Sequence, residues 1–420
     1  MNHSEKIDHD AVLQARTMLL GSDRPSLAQE VQAYRVLARV SPASYLPKLA
    51  KALVSYGYEV EGRGGMEQRL ALHTEAADAA RRIGADEPNR ADVLCGVLDA
   101  YRRTLLTVGR RGEAFAVCEE MAEAGRLAFD RGHVRAPGHG QHPLAVMLAE
   151  EGRHGEAADV LGRSARRGRP TGDFWTAVGW AAELAAAGRH EEAPEPFSGL
   201  VDLTRSETDA GATALANLVW LLVHRSGMLD ACGRPEEAGA DRREALRLLA
   251  RLAETGEPSR RSNALSWWSA LFALSGRAAE PAATREAPRP PLGADFRDWS
   301  PDTRESYLGE IPALEARVAE LTGAGRLPEA MEAHHRLVRR SAVLQEQRTW
   351  RIHEPLRPLF DQGMALARRL PGASEATAGT LTDRAMFLAA ADRYGEAHAD
   401  FAEAVALREG ATRPSIVTRT

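Results

Sequence analysis

A short phrase recurs along the chain and constrains its fold more than any other feature: Gly-Arg, two variable residues, then usually Glu-Ala. It reads GRRGEA from Gly109, GRHGEA from Gly152, GRHEEA from Gly188, GRPEEA from Gly233 and GRLPEA from Gly325. DRYGEA from Asp392 and DRPSLA from Asp23 are variants, and GRGGME from Gly62 and GRAAEP from Gly276 are degenerate copies. The nine sites are 36 to 49 residues apart, except for a last step of 67. Repetition at such a period marks a stack of supersecondary units rather than a chain folded round one core.

The phrase has the chemistry of a joint between two helices. Glycine ends a helix in the left-handed conformation that other residues resist. The acidic residue that follows falls in the first turn of the next helix, where the helix dipole favours it. The flanks agree. Four residues before the nine sites stand Leu19, Tyr58, Leu105, Leu148, Leu184, Leu229, Phe272, Leu321 and Leu388, all large and apolar. Seven before, six of the nine are Ala or Ser; five after, seven are Ala, the exceptions being Glu67 and Pro281. Small residues let two helices cross closely, and a large one three positions along fills the groove beside them. One such hairpin cannot cover its own apolar flank, so neighbours must stack.

The clearest copy, LTDRAMFLAAADRYGEAHADFAEAV from Leu381 to Val405, resembles the tetratricopeptide repeat (TPR) family. It has small Ala385, large Leu388, the joint at Asp392-Arg393-Tyr394, then Ala397, Phe401 and Ala404 at the family's spacing. The segment YRVLARVSPASYLPKLAKALVSYGYEVE from Tyr34 resembles long-period TPR arrays common in actinobacterial proteins. The resemblance implies an all-α fold, an α-solenoid coiled as a right-handed superhelix of antiparallel helix pairs. HEAT-like packing is the alternative.

Between Gly276 and Trp299 the pattern fails. Pro281, Pro288, Pro290 and Pro291, with Pro301 just beyond, prevent a continuous helix. The expected organisation is a tail at 1–9, a helical array at 10–278, a proline-rich loop at 279–300, a second array at 301–410 and a tail at 411–420. The loop either separates two arrays or interrupts one. An extra helix is expected at LRPLFDQGMALARRL, after Glu354-Pro355.

Composition narrows the function. The 420 residues carry a net charge of −5, with lysine only at Lys6, Lys48 and Lys51, so direct nucleic-acid binding, which uses a basic surplus, is not expected. Basic runs such as Arg242, Arg243, Arg247 and Arg251 read as solvated helix faces. The opening MNHSEKIDHDAVLQ has no signal-peptide pattern, and no apolar run reaches the roughly 18 residues of a membrane span. Cys95, Cys118 and Cys232 are odd in number and unpaired in spacing, which suits a reducing cytoplasm. Cys118 falls on the buried face of its helix, and Cys232 beside a joint is expected to be exposed.

No P-loop, GxGxxG after a strand, GxSxG, HExxH or CxxC occurs, so neither catalysis nor a cofactor is expected. His133, His139 and His142 cluster in a Gly/Pro-rich connection without a local carboxylate or cysteine, and read as surface histidines rather than metal ligands. Of His334 and His335, adjacent on a helix, at most one is expected to be buried.

The resemblance further implies a concave groove lined by positions thirteen and ten residues before each joint. These include Gly96 and Asp99, His139 and His142, Trp175 and Val178, Trp220 and Val223, Asn263 and Ser266. Asp99, His142, Trp175, Trp220, Asn263 and Ser266 are the candidate partner-binding residues. Trp175 and Trp220, at matching places, either form an aromatic platform or pack between repeats. Trp180, Trp267 and Trp268 belong to the core. The family's lysine-based clamp for a peptide carboxylate has no counterpart. The expected function is a non-enzymatic cytoplasmic scaffold or adaptor holding a peptide segment of another protein. The alternative is a regulatory sensor that binds a small molecule or signalling peptide and acts through a transcription-regulator partner. An apolar groove rimmed by charge favours the first, a closed pocket near the proline-rich loop the second, and a converging His/Asp/Glu cluster an enzyme or metal protein. The sequence does not specify an oligomeric state.

Overall fold

The computed structural model describes residues 9–412 apart from 22–23, 63, 168–173, 259–263, 349–351, 371 and 373. The fold is all-α: among the described residues there is no β-strand, only an isolated bridge between Leu292 and Ala294. The chain forms two compact units, and the division falls just after Met147.

Unit 1 holds α1 (His9–Leu20), α2 (Leu27–Val40), α3 (Pro42–Glu61), α4 (Met66–Arg81), α5 (Arg90–Thr107), α6 (Arg111–Asp130) and the start of α7 (His142–Glu150). Each helix from α1 to α5 packs on the next, and α3 also meets α5. A continuous core runs through Val31, Leu53, Ala76, Leu98, Leu105 and Cys118.

Unit 2 follows with α8 (His154–Arg167), α9 (Phe174–Ala186), α10 (Pro194–Asp209), α11 (Leu215–Ala231), α12 (Pro235–Thr255) and α13 (Ala264–Ser275). After the proline-rich segment come α14 (Pro301–Gly309), α15 (Ile311–Gly323), α16 (Leu327–Arg348), α17 (His353–Ala367), α18 (Ser374–Ala390) and α19 (Tyr394–Thr412). The extra helix is present as α17. It begins at His353, because a proline in the first helical turn has no intrahelical N–H bond to lose.

The recurring phrase is a helix joint at six sites. Gly109, Gly152, Gly188, Gly233, Gly325 and Asp392 all have positive φ, from 59° to 76°. The following arginine N–H donates to the carbonyl five residues back at 2.8–2.9 Å: Arg110 to Leu105, Arg153 to Leu148, Arg189 to Leu184, Arg234 to Leu229, Arg326 to Leu321 and Arg393 to Leu388. This is a Schellman closure, and the large residue of the flank is the one whose carbonyl it uses. The arginine carbonyl then accepts from the alanine of the phrase, opening the next helix. Five of the arginines also pair with the glutamate three residues on, Arg110–Glu113 through Arg326–Glu329. The alanines at 114, 157, 238, 330 and 397 are fully buried between the two helices.

Three sites differ. Asp23 lies outside the described residues. At Gly62, φ is −56° and the left-handed turn falls on Gly64 instead. Two further glycines follow there, and the shift places Val60, not Tyr58, four residues before the turn; Val60 is 6% exposed and Tyr58 44%. At Gly276, φ is −96°, and a short 3-10 turn (Arg277–Ala279) leads into the proline-rich segment, whose closely spaced prolines prevent a continuous second helix.

The proline-rich segment does not divide the chain into separate bodies. α11 and α13, before it, pack on α18, after it; α13 also packs on α16, and α12 on α19. One core cluster contains Trp220, Leu249 and Trp268 together with Phe360, Phe387 and Phe401. The apolar flanks of the two expected arrays therefore cover each other. Hairpins distant in sequence are neighbours in unit 2, as well as successive ones.

The segment also lies over the α7–α8 joint. Arg289 N–H donates to the Glu150 carbonyl at 2.9 Å, and a Cβ on Gly152 would stand 2.2 Å from the Ala283 carbonyl oxygen. A Cβ on Gly188 would meet nothing. Gly188→Ala is therefore expected to cost only the left-handed backbone term of about 1–2 kcal/mol. Gly152→Ala, at the same place in the phrase, is expected to cost about 1 kcal/mol more, because a backbone carbonyl has to move. Equal denaturant midpoints for the two variants contradict this docking.

Candidate ligand-binding cavity

Helices of unit 2 turn regular stripes toward an internal space of about 740 Å3. α11 offers Trp220, Val223, His224 and Gly227, spaced as one helix face. α13 offers Trp268, Leu271, Phe272 and Ser275; α18 offers Gly379, Thr382, Asp383 and Met386; α19 offers Phe401, Ala404, Val405 and Arg408. α9 adds a smooth wall of Ala181, Ala182, Ala185 and Ala186, and α16 adds His335, Arg339 and Arg340. The proline-rich segment supplies a further wall through Pro281, Ala283, Pro290 and Leu292. Sites for small molecules typically measure about 300–1,000 Å3, with an apolar lining and few polar groups.

The polar groups fall into ordered clusters. Glu183, 3% exposed, accepts from Arg277 at 2.6 Å, and His154 Nδ1 lies 2.7 Å from its other oxygen. Burial pushes the Glu183 carboxyl up, but Arg277 and His154 outweigh it and hold it below the ordinary range. Arg340, 1% exposed, bonds to Glu280 at 2.7 Å and to the Tyr307 carbonyl at 2.8 Å, pairs with Glu310 at 2.9 Å, and lies over the Tyr307 ring. It thereby ties α16 to the proline-rich segment and to the helices after it. Arg339 crosses Gly276, where a Cβ would strike its side chain, to lie over the Phe272 ring 3.4 Å from Asp383. Burial pushes the Asp383 carboxyl up against the opposing pull of Arg339 and Arg408. Arg242 pairs with Asp230 at 2.5 Å.

Two imidazoles face the space without such pairing. His224 stacks on Phe197 with ring centroids 5.1 Å apart, and His335 Nε2 is buried without a hydrogen-bond partner. Burial pushes each down to about 4, helped at His335 by the Arg339 charge, so both are neutral near pH 7.

The candidate residues read from the sequence are divided between the two units. Asp99 and His142 belong to unit 1, and Trp175, Trp220 and Ser266 to unit 2. Asp99 is half-buried and accepts from Arg102 and Arg103 at 2.8 Å each. His142 is half-buried at the start of α7. Ser266 is half-buried, its carbonyl accepting from the Ser269 hydroxyl. Asn263 lies outside the described residues. Trp220 is 2% exposed, and its Nε1–H donates to the Met386 carbonyl at 3.2 Å, so it is a cavity wall and core residue, not half of an exposed platform. Trp175 is half-buried, edge-on to Phe174. Trp180, Trp267 and Trp268 are core, as expected. Cys118 is fully buried; Cys232, against expectation, is half-buried and donates to the His190 carbonyl. His334 is buried and His335 half-buried. His139 lies 3.5 Å from Asp92, a carboxylate distant in sequence. Among the described residues, no three His, Cys, Asp or Glu side chains converge as metal ligands, and no helix is long and apolar enough to cross a membrane.

Sequence reading missed His224, His335, Arg339 and Asp383. The helical spacing of each stripe was available, but which stripes face one another was not.

Tandem Schellman-closed hairpins with an internal cavity define a TPR-like helical-repeat protein. No family model matches the chain, and no curated protein does. Among solved structures it is similar to BtubC (BKLC) from P. vanneervenii, with 15% identity over 58% of this chain and 93% of that one, at a TM-score of 0.39. It is also similar to the TPR domain of P58(IPK), with 15% identity over 86% of this chain and 96% of that one, at a TM-score of 0.20. Superpositions this loose identify no shared function.

Proposed function

We propose that this chain is a non-enzymatic sensor: unit 2 takes a small molecule or short signalling peptide into its cavity, and the helical array presents the result to a protein partner, such as a transcription regulator. One observation carries this reading, the space of about 740 Å3 walled by helices from both sides of the proline-rich segment and by the segment itself. Occupancy adds contacts between elements far apart in the chain, and a ligand shifts a conformational balance only through such differential contacts. The adaptor reading, with a partner's peptide held in an open concave groove, has less support because Trp220 is buried. A cytoplasmic location completes the proposal.

The test is native mass spectrometry of the protein equilibrated with an organic extract of its own cells. The expected result is a discrete adduct, absent from Ala186→Trp, in which an indole occupies the alanine wall. An adduct retained by that variant, or none at any extract concentration, overturns the reading.

A further inference from the structure

Resting on the ligand-binding reading above, we infer that the cavity takes an amphipathic monoanion, an apolar body ending in one carboxylate, and that the Arg339 guanidinium holds that carboxylate. Three observations lead there. The first is the sign of the wall. Arg242, Arg277, Arg289, Arg339, Arg340 and Arg408 line the space, against only two carboxylates, Glu280 and Asp383. Asp230, shared by Arg242 and Arg408, and Glu310, shared by Arg289 and Arg340, stand outside the lining, and each is more than a third exposed. Exposed partners are screened by water, so the wall turns a positive face to the space.

The second is that Arg339 is loosely held. Its side chain is 11% exposed, yet its contacts with Asp383 and with the Ser275 hydroxyl oxygen are both 3.4 Å long. Arg225, Arg277, Arg340 and Arg384, in the same unit, approach their carboxylates to 2.6–2.7 Å. A charge-assisted pair closes to about 2.7–2.9 Å. Burial also pushes the Asp383 carboxyl toward its neutral form, which weakens its claim on Arg339. An anion that closes on this guanidinium therefore gains more than it displaces.

The third is that Arg339 is given room. At Gly276, φ is −96°, which any residue adopts, so the backbone does not require glycine there. The arginine does: a Cβ at 276 would stand 2.3 Å from its Cδ. Past that gap the guanidinium lies over Phe272. Leu271 and Trp268 continue the α13 face, and Met386 stands one turn along α18 from Asp383. One cation thus sits at the edge of an apolar wall, the layout that matches a headgroup with a tail.

The experiment uses the full chain and four probes sharing one body: decanoate, decanol, decylamine and decyl phosphate. Binding is read by calorimetry and by tryptophan emission, and circular dichroism confirms that each variant is folded. Decanoate is expected to bind about tenfold or more tighter than decanol or decylamine. It is also expected to bind tighter than decyl phosphate, whose second charge would meet Asp383. Arg339→Met is expected to weaken decanoate about tenfold and leave decanol unchanged. Gly276→Ala, which keeps the arginine but pushes it aside, is expected to weaken decanoate too. Asp383→Asn is expected to act the other way and tighten decanoate about threefold, because it removes the competing carboxylate. A merely structural role for the pair would make both Arg339→Met and Asp383→Asn lose binding. If another probe binds as tightly as decanoate, if Ala186→Trp or Arg339→Met holds decanoate normally, or if Asp383→Asn weakens it, the inference falls and the sensor reading rests on the cell-extract adduct. If no probe binds while that adduct forms, the inference alone falls; if neither is seen, both fall.

Discussion

Trp220→Ala is expected to lower the unfolding free energy of unit 2 by about 3–5 kcal/mol, the cost of removing a large buried aromatic. Its indole is 2% exposed, lies in the main core cluster and donates to the Met386 carbonyl on α18. Truncation removes the packing and the hydrogen bond to α18. Trp175→Ala, at the matching place in the preceding repeat, is expected to cost only about 1–2 kcal/mol, since its ring is half-buried. All seven tryptophans follow Met147 in the sequence, so their emission during denaturant unfolding reports unit 2 alone. A Trp220→Ala midpoint within error of the parent chain would return Trp220 to the surface role suggested by its register.

Arg340→Met is expected to cost a similar 3–5 kcal/mol, because it strands buried partners rather than deleting apolar volume. The guanidinium is 1% exposed and satisfies Glu280, Glu310 and the Tyr307 carbonyl together. Methionine fills comparable space but leaves Glu280, in the proline-rich segment, without its cation. Arg340→Met with Glu280→Gln is expected to recover about 1–2 kcal/mol, since the stranded group is then neutral. The segment walls the cavity, so the single variant is also expected to bring protease sensitivity at 280–290. An unchanged cleavage pattern would show that the segment is held by other contacts.

The joints were legible because each answers to a local backbone demand. A positive φ calls for glycine, and the next arginine closes the helix onto the large residue of the preceding flank, five positions back. Among the six described joints Asp392 alone stands in place of glycine, and the Tyr394 hydroxyl donates to its carboxylate. Gly276 misled because the phrase specifies how a helix ends, and the prolines after it decide that no second helix begins. Tandem order foretold that successive hairpins would stack, but not that α12 would lie on α19. Nothing within either helix names the other, and they are over a hundred residues apart. The same gap hid the cavity. His224, Arg339 and Asp383 each look like an ordinary polar residue on an amphipathic helix until three distant helices converge. Trp175 and Trp220 share a register but not a depth, because only Trp220 meets α18.

The contact of α12 with α19 bears on how such a chain is able to evolve. An open file of hairpins gains or loses members by duplication and deletion, since each one touches only those beside it. Unit 1, whose helices meet near neighbours, keeps that freedom. In unit 2 an added or missing hairpin would put α19 out of reach of α12, so copy number there is frozen and change is confined to the side chains.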